Sequence, residues 1–238
     1  MAGTALGHGR AVVVVGAAGG VGASTLAALL AARWAADGRP VALVDLDARS
    51  GGIEVLLGIE GADGARWPDL AGMRGPVGAA ELHGVLPRWG AVEVLGTDRR
   101  AAPLDAAAVG AVWSALLESG RTVVADLPAR ALGREGLADL ARTGLGVLVT
   151  GQDVLGVATA AAAGAALAPG SRLVLRRRAG ARVAPAQVAS ALGLPLLGLL
   201  PTDRRVAGAV DRGLGPAVAR WSPLARAVAG FARGLRDA

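Results

Sequence analysis

The stretch AVVVVGAAGGVGAST, residues 11–25, decides how the rest of this sequence is interpreted. It opens with an apolar, valine-rich run, which predicts a buried strand. A glycine-rich loop follows and leads into a segment rich in Ala and Leu, which predicts a helix. Glycines at such a junction let backbone N–H groups converge on an anion, and the amino terminus of the helix adds partial positive charge. The stretch therefore predicts a phosphate-binding loop, with a plain tight turn of small residues as the alternative.

Short apolar runs and Ala/Leu-rich helical stretches alternate along the chain. The runs are apolar throughout, which is typical of a sheet covered on both faces, and the alternation is typical of parallel strands. We predict an α/β doubly wound, mostly parallel sheet of about seven or eight strands flanked by helices. The predicted strands are 11–15, 41–45, 92–95, 122–126, 146–150, 173–175 and 196–199, and the predicted helices are 24–37, 104–118, 134–142, 154–167, 185–192, 203–212 and 223–236.

The domain organisation follows from the absence of a sharp break in composition. We expect a flexible N-terminus at residues 1–9 and a single domain over residues 10–238. Residues 58–90 differ in composition from the rest of the chain, because Gly, Pro and Trp interrupt short helical segments. We therefore expect a surface insertion there.

Composition excludes several functional classes. The 238 residues contain no cysteine, no lysine and two histidines. A disulfide framework, a thiolate nucleophile and a Cys-ligated metal are excluded, and a His-based metal centre or a Ser-His-Asp hydrolase is disfavoured. Three uncharged stretches, 11–32, 154–171 and 183–202, approach the length of a membrane span. Gly, Pro and polar residues interrupt the first and third and the second is mostly Ala, so we expect buried strands and helices of a cytoplasmic protein.

Charge is unevenly distributed. The formal net charge is +6, yet residues 172–238 hold 12 arginines against three acidic residues. This basic C-terminal quarter is compatible with peripheral contact to an anionic membrane, with DNA, or with an acidic partner. An ordinary solvated surface is the alternative.

The glycines alone fit two kinds of nucleotide site. In a dinucleotide-binding Rossmann fold, Gly16, Gly19 and Gly22 would approach the pyrophosphate and Asp45 would hold a ribose. In a P-loop, the same backbone would hold a triphosphate. Ligands of such sheets bind beyond the carboxyl ends of the strands, so the residues directly after each predicted strand discriminate between the two.

Those residues resemble the ParA/MinD family of P-loop proteins. Residues 18–25, AGGVGAST, are similar to its deviant Walker A loop, KGGxGK[ST][ST], and Asp45-Leu46-Asp47 is similar to its DxD sequence. Residues 123–128, VVADLP, resemble its Walker B strand, and residues 199–203, LLPTD, resemble its late turn beside the base. Four motifs in the family's order are more specific than the glycines alone. The resemblance implies a P-loop NTPase fold of the MinD type.

Within that superfamily the sequence most resembles the CpaE/TadZ branch, which includes septum-site-determining proteins and CpaE-like proteins of high-GC bacteria. The strings GGVGASTLAALLA (19–31) and DLDARSGGIEVLLG (45–58) carry this resemblance. It implies a homodimeric localisation switch for cell division or for Flp/Tad pilus and secretion machinery. Such a protein is cytoplasmic and can lie peripherally at the membrane, pole or septum.

The resemblance also implies roles for individual residues. ATP or ADP would bind with Mg²⁺, Asp47 would be the catalytic residue that orients water, and Ser24 and Asp126 would form the metal site. Arg176 would lie beside the base. The nucleotide-binding residues implied are Gly19, Gly20, Val21, Gly22, Ala23, Ser24, Thr25, Arg176 and Pro201.

The sequence departs from the family at both lysines of the loop. Ala18 stands where the intersubunit lysine would be, and Ala23 stands where the phosphate-binding lysine would be. We consider Arg49 and Arg130 as substitutes, and expect at most a weak Mg²⁺-dependent ATPase. A pseudo-ATPase scaffold that works without nucleotide and an NAD(P)-binding Rossmann oxidoreductase are the alternatives.

The last predicted helix is amphipathic. Leu224, Val228, Phe231 and Leu235 share one face, and Gly230 and Gly234 weaken the helix. The face is narrow, which favours packing against the core over contact with a membrane.

Overall fold

The computed structural model describes residues 9–47, 52–72, 78–98, 104–134 and 136–236. The predicted flexible N-terminus lies almost entirely outside the described residues, and so does Arg49. The strands are β1 (Arg10–Gly16), β2 (Val41–Asp45), β3 (Arg88–Trp89), β4 (Val92–Leu95), β5 (Thr122–Pro128), β6 (Leu145–Gly151), β7 (Arg172–Arg176) and β8 (Leu196–Leu200). The helices are α1 (Ala23–Ala36), α2 (Ile53–Leu57), α3 (Trp67–Leu70), α4 (Ala79–Leu82), α5 (Ala106–Glu118), α6 (Leu137–Thr143), α7 (Val154–Gly164), α8 (Pro185–Leu192), α9 (Arg204–Val210) and α10 (Pro223–Gly234).

The strands described form one sheet in the order β3-β4-β2-β5-β1-β6-β7-β8. Every neighbouring pair is parallel except β3 and β4, which are antiparallel. The predicted doubly wound, mostly parallel sheet is therefore confirmed. The sequence prediction missed the short edge strand β3, whose two residues carry no apolar run.

Strand β1 lies in the middle of the sheet because its four valines bury both faces. Val13 and Val15 belong to one core layer, and Val12 and Val14 belong to the layer on the opposite face. All four are 0% exposed. Helix α1 packs over the second layer and contacts β1, β2 and β5. The glycine loop between β1 and α1 is thereby anchored at both ends.

Helix starts differ from the predictions where side chains cap them. Asp105 accepts hydrogen bonds from the backbone N–H groups of Ala107 and Ala108, so α5 begins at Ala106 and not at 104. Asp203 caps α9 in the same way, which places its start at Arg204. The predicted helix 134–142 begins later, at Leu137, after a 3₁₀ turn at Ala129–Ala131. Helix 154–167 ends at Gly164.

Residues 58–90 bury side chains that a purely surface insertion would leave exposed. Trp67, Leu70, Leu82 and Leu86 belong to the core layer on the β1 face that carries Val13 and Val15. The indole N–H of Trp67 also donates a 2.6 Å hydrogen bond to the backbone carbonyl of Asp45. This segment therefore supports the end of β2, where candidate site residues follow.

Helix α10 packs against the domain. Leu224, Val228, Phe231 and Leu235 are buried, and the helix contacts α1 and β8. Gly198 leaves room for the ring, because a Cβ built there would lie 2.7 Å from Phe231 Cε1. The core-packing interpretation is confirmed for this helix. Within the described ranges, the helices are all too short or too polar to cross a membrane.

We predict that Phe231→Ala destabilises the protein by about 3–5 kcal/mol, because it opens a cavity between α10 and β8. Arg233→Ala, on the exposed side of the same helix, should change the free energy of unfolding by no more than about 0.5 kcal/mol. Urea unfolding followed by circular dichroism measures both. Equal stability of Phe231→Ala and wild type would contradict the packing described here.

Candidate functional site

A cleft of about 700 Å³ opens beyond the carboxyl ends of the parallel strands. It lies at the end of β1, where the strand order reverses: β2 to β5 lie on one side of β1 and β6 to β8 lie on the other. Such a switch point is where open α/β sheets bind ligands, and the volume suits a cofactor-sized molecule. The glycine loop, the ends of β5 and β7, and helix α9 line it.

The glycine loop presents its backbone to this cleft. Gly20 and Gly22 have φ values of +76° and +90°, which L side chains rarely adopt. A Cβ built at Gly19 or Gly20 would meet nothing within 4 Å, so this part of the loop faces open space. Gly22 caps α1 without any side-chain hydrogen bond. The first N–H groups of α1 therefore have no side-chain acceptor from the cap, and a phosphate would fit there.

Asp45 is buried and shapes the turn after β2. Its Oδ1 accepts a 2.8 Å hydrogen bond from the Asp47 N–H, and its Oδ2 accepts a 2.9 Å bond from the Ile53 N–H. Burial raises the pKa of Asp45 to about 7, and the neighbouring Asp126 carboxylate contributes to the rise. Because both oxygens are used by the backbone and 1% of the residue is exposed, Asp45 is not placed to hold a ribose as the Rossmann interpretation requires.

Asp126 lies beside Asp45 on the adjacent strand and lines the cleft. Burial raises its pKa to about 6, and a hydrogen bond from the Ser24 hydroxyl opposes that rise. Within the described ranges, no three His, Asp or Glu side chains form a group able to hold a metal by themselves. Mg²⁺ commonly uses one or two side chains, waters and substrate phosphates. The Ser24–Asp126 pair at the loop fits that mode of binding.

Asp47 also lines the cleft and forms an ion pair with Arg130. Both Asp47 carboxylate oxygens lie 2.5 Å from Nη2 of Arg130. The Asp47 side chain is 15% exposed and the Arg130 side chain is 57% exposed. Arg130, considered above as a substitute for a lysine, is therefore engaged in an ion pair with Asp47.

Most residues predicted for the nucleotide site come together. The whole segment from Gly19 to Thr25 lines the cleft, together with Arg176. Arg178, two residues further on, forms an ion pair with Asp153, the N-cap residue of α7, at 3.2 Å. Pro201 does not line the cleft, whereas its neighbours Thr202 and Asp203 do.

The prediction missed the apolar wall of the cleft. Its residues come from α2, α9 and the start of α10 and are Leu56, Val206, Ala207, Val210 and Leu224. Three of them follow Asp203 at intervals of three and four, which places them on one face of a helix. That spacing after the late LLPTD turn is the signal that would have found them.

The sheet order and the glycine loop between β1 and α1 define a P-loop NTPase fold of the ParA/MinD type. A family model described as the CobQ/CobB/MinD/ParA nucleotide binding domain matches residues 12–217. The chain belongs to this family.

Proteins similar in sequence cover most of this chain. An uncharacterized protein found in two Mycobacterium tuberculosis strains is 40% identical over 222 residues. The match covers 92% of this chain, and the chain spans 62% of the length of these curated relatives.

Solved structures with the same architecture are more distant in sequence. A ParA family ATPase from Chlorobium tepidum has a TM-score of 0.77 at 17% identity, with 94% of this chain and 98% of that chain covered. The MinC:MinD complex of Aquifex aeolicus gives 0.75 at 19%, with 96% of each chain covered. MinD of Pyrococcus horikoshii with Mg-ADP gives 0.69 at 21%, with 95% of each covered.

We predict that Asp45 makes the protein less stable as pH rises. Its folded pKa of about 7 lies above the ordinary value of 3.8, so the folded state binds the proton more tightly than the unfolded chain. Stability contributed at low pH is therefore lost between about pH 4 and 7. The free energy of unfolding of wild type relative to Asp45→Asn should fall by on the order of 1–4 kcal/mol across that range.

Urea unfolding at several pH values without Mg²⁺ measures this difference. Asp126 and Asp47 are the charged groups that face Asp45 and remain in the variant. Asp63→Asn, at an exposed position, is the control and should follow wild type. A difference between wild type and Asp45→Asn that is independent of pH would contradict the prediction.

Proposed function

We propose that this chain binds ATP or ADP with Mg²⁺ in the cleft at the end of β1. The observation that carries the proposal is the glycine loop, whose exposed backbone faces the cleft at the start of α1. Asp47 and Asp126 line the same cleft. Backbone amides and a helix amino terminus suit a polyphosphate better than any neutral ligand.

The residues around the loop divide the remaining tasks. Ser24 would bind the Mg²⁺ ion, and Asp126 would hold the Ser24 hydroxyl in place through their hydrogen bond. A bound Mg²⁺ would neutralise phosphate charge. Asp47 would orient an attacking water, and Arg130 fixes its carboxylate by the ion pair described above. Leu56, Val206 and Val210 offer an apolar surface for the base.

The two missing lysines limit what this site can do. Ala18 is exposed on the loop and Ala23 is buried at the start of α1. A charge-assisted hydrogen bond to phosphate contributes about 1.5–3 kcal/mol, so its loss weakens binding by about 10- to 100-fold. A cation that acts on the transition state is worth about 10³–10⁵ in rate. We therefore propose a slow Mg²⁺-dependent ATPase that works as a switch.

In the cell, the switch would act as a homodimer that localises division machinery or Flp/Tad pilus and secretion machinery, as in the CpaE/TadZ branch. Support comes from the strings 19–31 and 45–58 and from the fold shared with a MinD that is complexed with MinC. The basic C-terminal quarter would supply peripheral contact with a membrane or DNA.

A scaffold that needs no nucleotide is the second candidate. It is favoured by one observation, the replacement of both loop lysines by alanine. It predicts a folded protein whose cleft does not bind Mg-ATP.

We predict that wild type binds Mg-ATP with a Kd at or below about 1 mM. Ser24→Ala should weaken binding about tenfold in Mg²⁺ and change it little in EDTA, because it removes a metal ligand and leaves the loop amides. Isothermal titration calorimetry measures both conditions, with Ser190→Ala on the exposed side of α8 as the matched control. If wild type shows no binding to Mg-ATP at several millimolar, the scaffold is the correct function.

A further inference from the structure

Two arginines flank the glycine loop from opposite sides of the cleft. Of the described residues that line it, Arg130 and Arg176 carry the positive charge. Arg130 follows β5, and Arg176 ends β7 on the other side of β1. Both side chains line the same cleft as the loop, so the groups that each one contacts decide which could compensate for an absent lysine.

Arg130 is already neutralised. Its guanidinium lies 2.5 Å from both carboxylate oxygens of Asp47. If Arg130 moved to a phosphate on the loop, the Asp47 carboxylate would be left without this cation close to the carboxylates of Asp126 and Asp45. Arg130 therefore belongs with Asp47.

Arg176 has a different environment. Its Nη1 lies 3.1 Å from the position that a Cβ of Gly22 would occupy, and Leu200 Cδ2 lies 3.4 Å from the same point. The guanidinium thus packs directly against the glycine that caps α1. Within the described ranges, no carboxylate lies at ion-pair distance from it. Burial lowers the pKa of the Arg176 guanidinium, which remains charged at neutral pH because an arginine starts so high.

The position of Arg176 is fixed by the sheet. Its strand register places it opposite Gly151 of β6 and Leu200 of β8. The glycine at position 22 leaves the space that the guanidinium fills, since any side chain there would be within contact distance of it. The Arg176 guanidinium therefore lies against the backbone of the glycine loop, at the end of a strand that is paired on both sides.

We propose that Arg176 binds the phosphates of a nucleoside di- or triphosphate and replaces, from the end of β7, the positive charge that Ala18 and Ala23 do not supply. This deepens the proposed function and rests on it. The role differs from the place beside the base that the family resemblance implied for Arg176. Arginine suits the role because its planar fork can donate two parallel hydrogen bonds to one phosphate.

A double-mutant cycle between Arg176→Gln and Ala23→Lys tests the proposal. Mg-ATP binding is measured by calorimetry for wild type, both single variants and the double variant. Arg176→Gln should weaken binding by about 10- to 100-fold. Ala23→Lys should raise the affinity for Mg-ATP more in the Arg176→Gln background than in wild type. In the proposal, the introduced lysine and Arg176 bind the same phosphates, so the lysine contributes more when Arg176 is absent.

Controls separate this proposal from the others. Arg177→Gln, at the exposed next residue, should bind like wild type, and thermal melts should show that each variant is folded. If Arg176→Gln leaves Mg-ATP affinity unchanged, the inference is wrong and the proposed function stands. If the gain from Ala23→Lys is equal in both backgrounds, Arg176 acts on the base and the inference is also wrong. If neither wild type nor Ala23→Lys binds Mg-ATP, the proposed function itself fails.

Discussion

The packing of β1 between β5 and β6 is the constraint on which the rest of the structure depends. Four consecutive valines bury both faces of this strand, so its carboxyl end has a single position in the sheet. The loop that follows must then turn at once into α1, and glycines with positive φ allow it to do so while the backbone faces outward. The ends of β2, β5 and β7 reach the same edge. The candidate site is therefore a consequence of how one apolar strand is buried.

The charges around that edge are arranged in a way that fits the proposed binding of a polyphosphate in a cleft without lysine. Asp45 and Asp126 are buried, and their pKa values are raised. Both carboxylate oxygens of Asp45 accept backbone hydrogen bonds, from the N–H groups of Asp47 and Ile53. Asp47 in turn engages Arg130. The hydrogen bonds of Asp45 and the ion pair of Asp47 thus offset part of the negative charge near the cleft. Arg176 lies against the loop from the opposite side. In the proposed function, Arg176 supplies from a strand end the positive charge that the loop itself lacks.

The sequence was enough to predict the fold and to predict that the segment Gly19–Thr25 would line the cleft. Apolar runs and glycine spacing are local features of the sequence, so both could be recognised without the structure. It was not enough for features that arise between elements. The edge strand β3 has two residues and depends on pairing with β4, and the burial of Trp67 depends on the sheet beneath it. The position of Asp45 after β2 suggested a ligand-binding carboxylate, yet its two oxygens accept hydrogen bonds from the backbone N–H groups of Asp47 and Ile53. The position of Arg176 beside the loop could not be predicted, because it depends on the register of β7 against β8, which no local sequence pattern indicates.

The central claim is that backbone amides of the glycine loop hold a polyphosphate in this protein. A crystal structure grown with saturating Mg²⁺ and a non-hydrolysable ATP analogue tests it most directly. The account predicts phosphate density against the N–H groups between Gly19 and Ser24, with Mg²⁺ at the Ser24 hydroxyl. Well-ordered loop density with an empty cleft at saturating nucleotide, or the analogue bound elsewhere, would contradict it.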